Sequence, residues 1–270
     1  MAGDFARHEL ENKVEYLRIS GTEPRDIAYI WQEARPAQAQ VASLVWLPGF
    51  KSDMVSTKAT ALAQWAQAQG RALLRFDYSG HGQSTGDFAK ATISQWVEDT
   101  LAILDHVKLA RMTLVGSSMG GWLALLVARE LAQRGKADQI AAMVLIAPAV
   151  DFTQKLIWER LPPQVQQQII DEGEWRRPSA YANEAMPITR QLFEDGRKHL
   201  LFGGEIRSYA PLHILQGMQD PDVPFSHALE LVEHMAGDEV LLTLIKSGDH
   251  RLSTPHDIER LMATISAMPK

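Results

Sequence analysis

Two short β-type segments, residues 14–19 and 27–32, flank Gly21-Thr22-Glu23-Pro24, and this arrangement predicts a hairpin at the edge of a sheet. From residue 41 onward the pattern changes to near-continuous apolar runs at 41–47, 72–76, 112–115, 140–147, 212–215 and 240–245. A strand covered on both faces has no polar side to alternate with, so these runs read as strands of a parallel sheet. Segments of helical period lie between them, at 57–69, 93–108, 121–133, 226–235 and 258–268. The βαβα alternation predicts an α/β fold: a mostly parallel central sheet with helices on both faces. Ligands of such sheets sit beyond the carboxyl ends of the strands, so the chemistry is expected just after strand ends.

The rhythm breaks at residues 151–208, which hold no convincing strand, are helix-prone at 164–172 and 187–201, and are punctuated by Pro162-Pro163 and Pro178. A structureless loop of that length is uncommon inside a compact domain. The stretch therefore predicts a helical cap over the active end of a core made of residues 1–150 and 209–270. Its large apolar residues are Trp158, Trp175, Tyr181, Phe193 and Phe202. Most would pin the cap to the core and the remainder would line an acyl or aromatic pocket. Trp158, Trp175 and, from the main domain, Trp122 are the lining candidates. Arg176 and Arg177 read as a solvated basic pair, with an anionic substrate group as the alternative partner.

A length of 270 residues suits one large α/β domain carrying an insertion. The formal net charge of −6 offers no global attraction to nucleic acid or anionic lipid. Absence of cysteine excludes disulfides, a thiolate nucleophile and Cys-ligated zinc. No basic stretch followed by an apolar run opens the sequence, and no run approaches the ~18 apolar residues of a membrane span, so the expectation is a cytoplasmic protein without integral membrane association. H-E-x-x-H, the P-loop and an intact G-x-G-x-x-G are missing, and no metal or cofactor is expected.

Gly116-Ser117-Ser118-Met119-Gly120 fits G-x-S-x-G between an apolar strand and a helix. A serine at the apex of a sharp strand-to-helix turn is lifted clear of the sheet, as nucleophilic catalysis requires, and the strained backbone admits only small residues two positions either side. Ser118 is the nucleophile expected, with Ser117 a small residue beneath the turn. A serine hydroxyl needs a general base, and that base an acid partner. Of nine histidines, His250 in Lys246-Ser247-Gly248-Asp249-His250-Arg251 directly follows a strand at the active end. His256 begins a helix, His227 and His234 fall on a helix, His213 lies in or just before a strand, His199 is in the cap, and His8 and His106 are far from any strand end on the active side. For the acid, Gln216-Gly217-Met218-Gln219-Asp220-Pro221-Asp222-Val223-Pro224 offers two carboxylates. Asp220 occupies the rising limb of the loop and is preferred; Asp222 reads as a turn or capping residue. Asp249 reads as loop structure. The oxyanion requires N–H donors, expected from Met119 and from Phe50 in Pro48-Gly49-Phe50-Lys51-Ser52, with Ser52 a lesser contributor through its hydroxyl.

These residues resemble the α/β-hydrolase superfamily from the hairpin to the last helix. Arg75-Phe76-Asp77-Tyr78-Ser79-Gly80, the nucleophile motif, Gln216 to Asp220, Ser247 to Arg251 and the cap stretch Gly173 to Tyr181 are similar to a subgroup of palmitoyl-protein thioesterases and acyl-glucuronide esterases. The resemblance implies Ser118, Asp220 and His250 as the triad, Phe50 and Met119 as the oxyanion donors, and a small acyl ester or thioester as substrate. Many relatives carry His-Gly where this chain has Pro48-Gly49, so a side-chain hydrogen bond stiffening that loop is expected to be absent. The turn Asp77 to Ser84 reads as scaffolding near the site, with His81 as a substrate contact the alternative. Peptidase, carbon–carbon hydrolase and perhydrolase reactions use the same triad, and a non-catalytic binding module would keep the same scaffold.

Overall fold

A computed structural model describes residues 13–21, 23–177, 186–237 and 239–269. In chain order the strands are β1 (Glu15–Ile19), β2 (Arg25–Gln32), β3 (Ser43–Leu47), β4 (Leu73–Phe76), β5 (Met112–Ser117), β6 (Ile140–Ile146), β7 (Glu174–Arg177), β8 (Met186–Thr189), β9 (Leu212–Gly217) and β10 (Val240–Ile245). The helices are α1 (Thr57–Gln69), α2 (Ile93–Val107), α3 (Met119–Gln133), α4 (Pro163–Glu172), α5 (Arg190–Gly196), α6 (Phe225–His234) and α7 (Pro255–Ala267). Eight strands form one sheet in the order β1-β2-β4-β3-β5-β6-β9-β10. The β1–β2 hairpin and the β2–β4 pair are antiparallel, and every other pair in this sheet is parallel.

The apolar runs follow from covering on both faces. Leu44, Trp46, Val115 and Val144 pack with Leu62 and Ala66 of α1 and Leu261 and Ile265 of α7. Their sequence neighbours Val45, Leu47, Leu114, Met143 and Leu145 pack on the opposite face with α2 and α3. Successive residues of a strand point to opposite faces, so both must be apolar. Burying each such side chain stabilises the fold by about 1.5–3 kcal/mol. β10 departs from this pattern: as the outer strand it leaves Leu241 and Leu244 exposed.

The insertion differs from the all-helical expectation. α4 and α5 are present, but β7 and β8 form a separate antiparallel pair with Trp175 opposite Ile188. Polar Glu174 and Arg176 and the ring of Pro187 obscure the strand pattern in sequence, and pairing across the hairpin supplies what local propensity lacks. Pro187 also explains why the helix starts at Arg190, since the ring is incompatible with a helix interior. Tyr181 lies outside the described residues. The insertion's ends are fastened by the buried Asp151 carboxylate, which accepts the N–H groups of Leu201 (2.9 Å) and Phe202 (3.0 Å). Asp195 ties the insertion to α2 by accepting both the N–H and the hydroxyl of Ser94, each at 2.8 Å.

Candidate active site

Ser118 lies between β5 and α3 with φ 53° and ψ −118°, a conformation that L residues adopt only under constraint. Three backbone hydrogen bonds supply that constraint. Ser118 N–H donates to Ile146 O (2.8 Å), and Ser118 O accepts from Gly121 (2.9 Å) and Ala149 (3.1 Å). A Cβ on Gly116 would stand 2.4 Å from Gly120 O, and one on Gly120 would stand 2.0 Å from Leu47 O. The strained, crowded turn expected from the sequence is present, with the crowding from the helix on one side and from β3 on the other.

The loops after β9 and β10 are zipped together. Met218 N–H donates to Ile245 O and Gln219 N–H to Gly248 O, each at 2.9 Å, and Gly217 admits the Gly248 carbonyl where a Cβ would lie 2.4 Å from it. This brings His250 Nδ1 to 2.7 Å from Asp220 Oδ2 and His250 Nε2 to 3.1 Å from Ser118 Oγ. The other Asp220 oxygen accepts the N–H groups of Asp222 (2.9 Å) and Val223 (2.8 Å). Asp222 thus contributes its backbone to the site, and Asp220 supplies the carboxylate that faces His250. Gln216, buried at the end of β9, reaches Asp220 Oδ2 at 3.3 Å and Val223 O at 3.0 Å. Its signal in sequence is a polar residue closing an apolar strand. From the far side, Lys58 of α1 donates to Arg251 O at 2.5 Å, and burial pulls its pKa down to about 8.

With Nδ1–H donating to Asp220, the imidazole presents a lone pair at Nε2 to the Ser118 hydroxyl, the arrangement that lets a serine lose its proton as it attacks. Among the described residues, Asp220, Asp222 and His250 are the group whose ligand atoms lie within 4.8 Å of one another as a metal site would require. The His250–Asp220 hydrogen bond already engages two of those atoms. Asp249 accepts Leu252 N–H at 2.9 Å and serves the loop. His256 sits exposed beside Arg260, His227 donates to or accepts from nothing in the triad region and contacts Val150 O, and His8 lies outside the described residues.

The N–H groups of Phe50 and Met119 find no acceptor among the described residues, so both remain available to a ligand. Phe50 itself packs against Phe88 (5.0 Å), Phe152 (5.3 Å) and Trp96 (5.9 Å) between ring centroids. The Pro48–Ser52 loop is tied from another turn: Lys51 N–H donates to Nε2 of the buried His81 at 3.2 Å. His81 comes from the turn after β4 and is 4% exposed.

The three tryptophans occupy different settings. Trp122 is fully buried, edge-on to Phe152 at 5.7 Å, and offers a substrate no surface, because its place on α3 turns it into the core. Trp158 is held within the insertion by Phe193 (5.0 Å) and the Arg197 guanidinium (4.9 Å). Trp175 is half-buried on β7. Arg176 is exposed and pairs with Glu174 at 3.3 Å. Phe152, which the sequence reading passed over, is the aromatic that connects the start of the insertion to Phe50.

Among the described residues no helix is long and apolar enough to cross a membrane. The sequence profile of the family described as serine aminopeptidase, S33, matches residues 38–192. Palmitoyl-protein thioesterase ABHD10, mitochondrial, of Mus musculus is 35% identical over 262 residues, spanning 96% of this chain and 79% of the relative. Among solved structures, a protein from Agrobacterium vitis S4 matches with TM-score 0.90 and 45% identity over 96% of this chain and 100% of that one. Mouse alpha/beta hydrolase domain-containing protein 10 matches with TM-score 0.81 and 32% identity over 93% of this chain and 97% of that one.

Proposed function

The chain belongs to the α/β-hydrolase family described as serine aminopeptidase, S33, and from that premise we propose that it is a serine esterase or thioesterase with Ser118 as nucleophile, His250 as general base and Asp220 as its partner. The observation that carries this reading is the continuous hydrogen-bond line from Asp220 through His250 to Ser118 Oγ at the apex of a strained turn. Ser118 Oγ attacks the acyl carbon as its proton passes to His250 Nε2, and Asp220 stabilises the imidazolium. Phe50 and Met119 N–H groups receive the oxyanion. Collapse of the tetrahedral intermediate returns the proton from His250 to the departing alcohol or thiol, and water then cleaves the acyl-enzyme by the same steps.

The insertion is proposed to act as a lid over this site, a reading supported by the Phe50–Phe152 contact at its first turn. A thioester substrate is favoured over a peptide because the mouse relative that spans 96% of this chain is named a palmitoyl-protein thioesterase. The cytoplasmic location expected from the sequence is carried as part of the proposal, and subcellular fractionation tests it against the mitochondrial location in that relative's name.

The experiment is Ser118→Ala assayed on a p-nitrophenyl ester, an acyl thioester and an aminoacyl p-nitroanilide. The variant should fold as wild type and lose roughly 10⁴–10⁶-fold in kcat on the preferred substrate. Turnover near the wild-type rate removes Ser118 from the chemistry. Preference for the anilide replaces the esterase reading by a peptidase.

A further inference from the structure

The turn that carries Phe50 is closed by Ser52 N–H donating to Gly49 O at 3.0 Å, and its third residue, Lys51, has φ 61°. Turns of this type need a positive φ at that position and ordinarily place glycine there. Lysine would sit more comfortably in the alternative turn, in which the Phe50–Lys51 peptide is rotated to point the other way. The N–H of that same peptide is the group that His81 Nε2 accepts, at 3.2 Å.

We infer that His81 is a positioning residue for the oxyanion hole: by accepting the Lys51 N–H it pins the peptide that follows Phe50, and so fixes the place of the turn from which Phe50 N–H meets the reacting acyl oxygen. This rests on the hydrolase reading above, in which Phe50 N–H is an oxyanion donor. The imidazole is prepared for that task by its other contacts. Nδ1 lies 3.3 Å from Ser79 O, to which it donates, so the lone pair is left on Nε2, facing Lys51. Burial pushes the His81 pKa down to about 4, which keeps that lone pair free of a proton at neutral pH. Ser79 is itself anchored: its N–H and hydroxyl donate to Asp99 Oδ2 at 2.9 and 2.5 Å, and Trp96 Nε1 donates to its carbonyl at 3.1 Å. The fully buried Asp99 is held in turn by Arg25 Nε at 2.6 Å. A line of short contacts therefore runs from an ion pair between β2 and α2, through the turn after β4, to the backbone beside the oxyanion donor. The rings of Tyr78, Phe88 and Trp96, at 5.7, 5.1 and 5.2 Å, prevent the imidazole from rotating away.

The test compares wild type, His81→Phe and His81→Gln at neutral pH on a p-nitrophenyl ester, with folding checked by circular dichroism. Phenylalanine fills the aromatic cage but offers Lys51 no acceptor; glutamine can place Oε1 near the Nε2 position. His81→Phe should lower kcat about 10- to 100-fold, less than the ~10²–10³ that follows deletion of a donor, because the N–H is misdirected and not removed. KM should stay within about threefold, and His81→Gln should recover most of the loss. Affinity for an arylboronic acid, which mimics the tetrahedral oxyanion, should fall with kcat/KM while affinity for the carboxylate product does not change. A His81→Phe enzyme with kcat within threefold of wild type, a glutamine variant as slow as the phenylalanine one, or equal losses for boronate and product would each overturn the proposal. If His81→Phe does not fold, His81→Met takes its place, since a thioether fills the space without a comparable acceptor. Ser118→Ala run in parallel separates the two ideas. If it is inactive and the His81 variants are not impaired, only the role of His81 falls; if it is active, the hydrolase reading falls first.

Discussion

Replacing Gly120 by alanine tests the geometry of the nucleophile turn and of both oxyanion donors together. The added Cβ would lie 2.0 Å from Leu47 O and 2.7 Å from Pro48 O. Ordinary contact begins near 3.4 Å, so α3 and the end of β3 must separate by about 3.4 − 2.0 = 1.4 Å. The two backbones forced apart are those that bear the candidate donors: Met119 N–H on the first residue of α3, and Phe50 N–H two residues beyond Pro48. Misplacement of about 1 Å at a reacting centre costs roughly 10²-fold in rate. The expected result for Gly120→Ala is therefore a kcat on p-nitrophenyl acetate lowered by about 10²-fold or more. Urea denaturation should show a stability loss of about 1–3 kcal/mol, the usual cost of overpacking. Gly135→Ala is the control. It has open space around its Cβ but a φ of 69°, so it should lose roughly 1–2 kcal/mol from left-handed strain and keep its kcat. A Gly120→Ala enzyme with wild-type kcat would refute the reasoning, since the donors would then not depend on the β3–α3 approach.

Two further substitutions separate the competing acids. Asp220→Asn should lower kcat by about 10³–10⁴-fold because the amide can no longer fix the His250 tautomer, whereas Asp222→Asn retains the backbone N–H that Asp220 accepts and should stay within a few-fold of wild type; the reverse ranking would make Asp222 the partner. A pH prediction follows from Asp77, which accepts Met54 N–H (2.7 Å) and Gln83 N–H (2.8 Å) and whose pKa burial pushes up from 3.8 to about 6. Between those values the folded state binds more protons than the unfolded one, so stability falls as pH rises through the window, by up to about 3 kcal/mol. Asp77→Asn removes the titration. The stability of wild type minus that of the variant, from urea midpoints, should decrease between about pH 4 and 6, and a constant or increasing difference would contradict the burial argument.

What the sequence determined by itself is what depends on near neighbours. Two-sided burial writes an apolar run into each inner strand, and the nucleophile turn, confined to five consecutive residues, announces itself by the small residues its strain demands. The loops after β9 and β10 were legible as the places to look for Asp220 and His250, because a loop directly following a strand must emerge at the same end of the sheet. The four-residue strands β7 and β8 were not legible, since pairing with each other, not local preference, makes them strands. Three details belonged to the tertiary structure. The loop favoured Asp220 over Asp222 in sequence, but it is the N–H groups of residues 222 and 223 closing on one Asp220 oxygen that turn the other toward His250. Trp122 looked as accessible as any tryptophan until its place on α3 buried it beside Phe152. His81 lies 30 residues from Lys51, and no local pattern states that a side chain from one turn will accept a backbone N–H from another. Hydrogen bonds between distant loops depend on where the sheet delivers their ends, and that is decided when the strands pair.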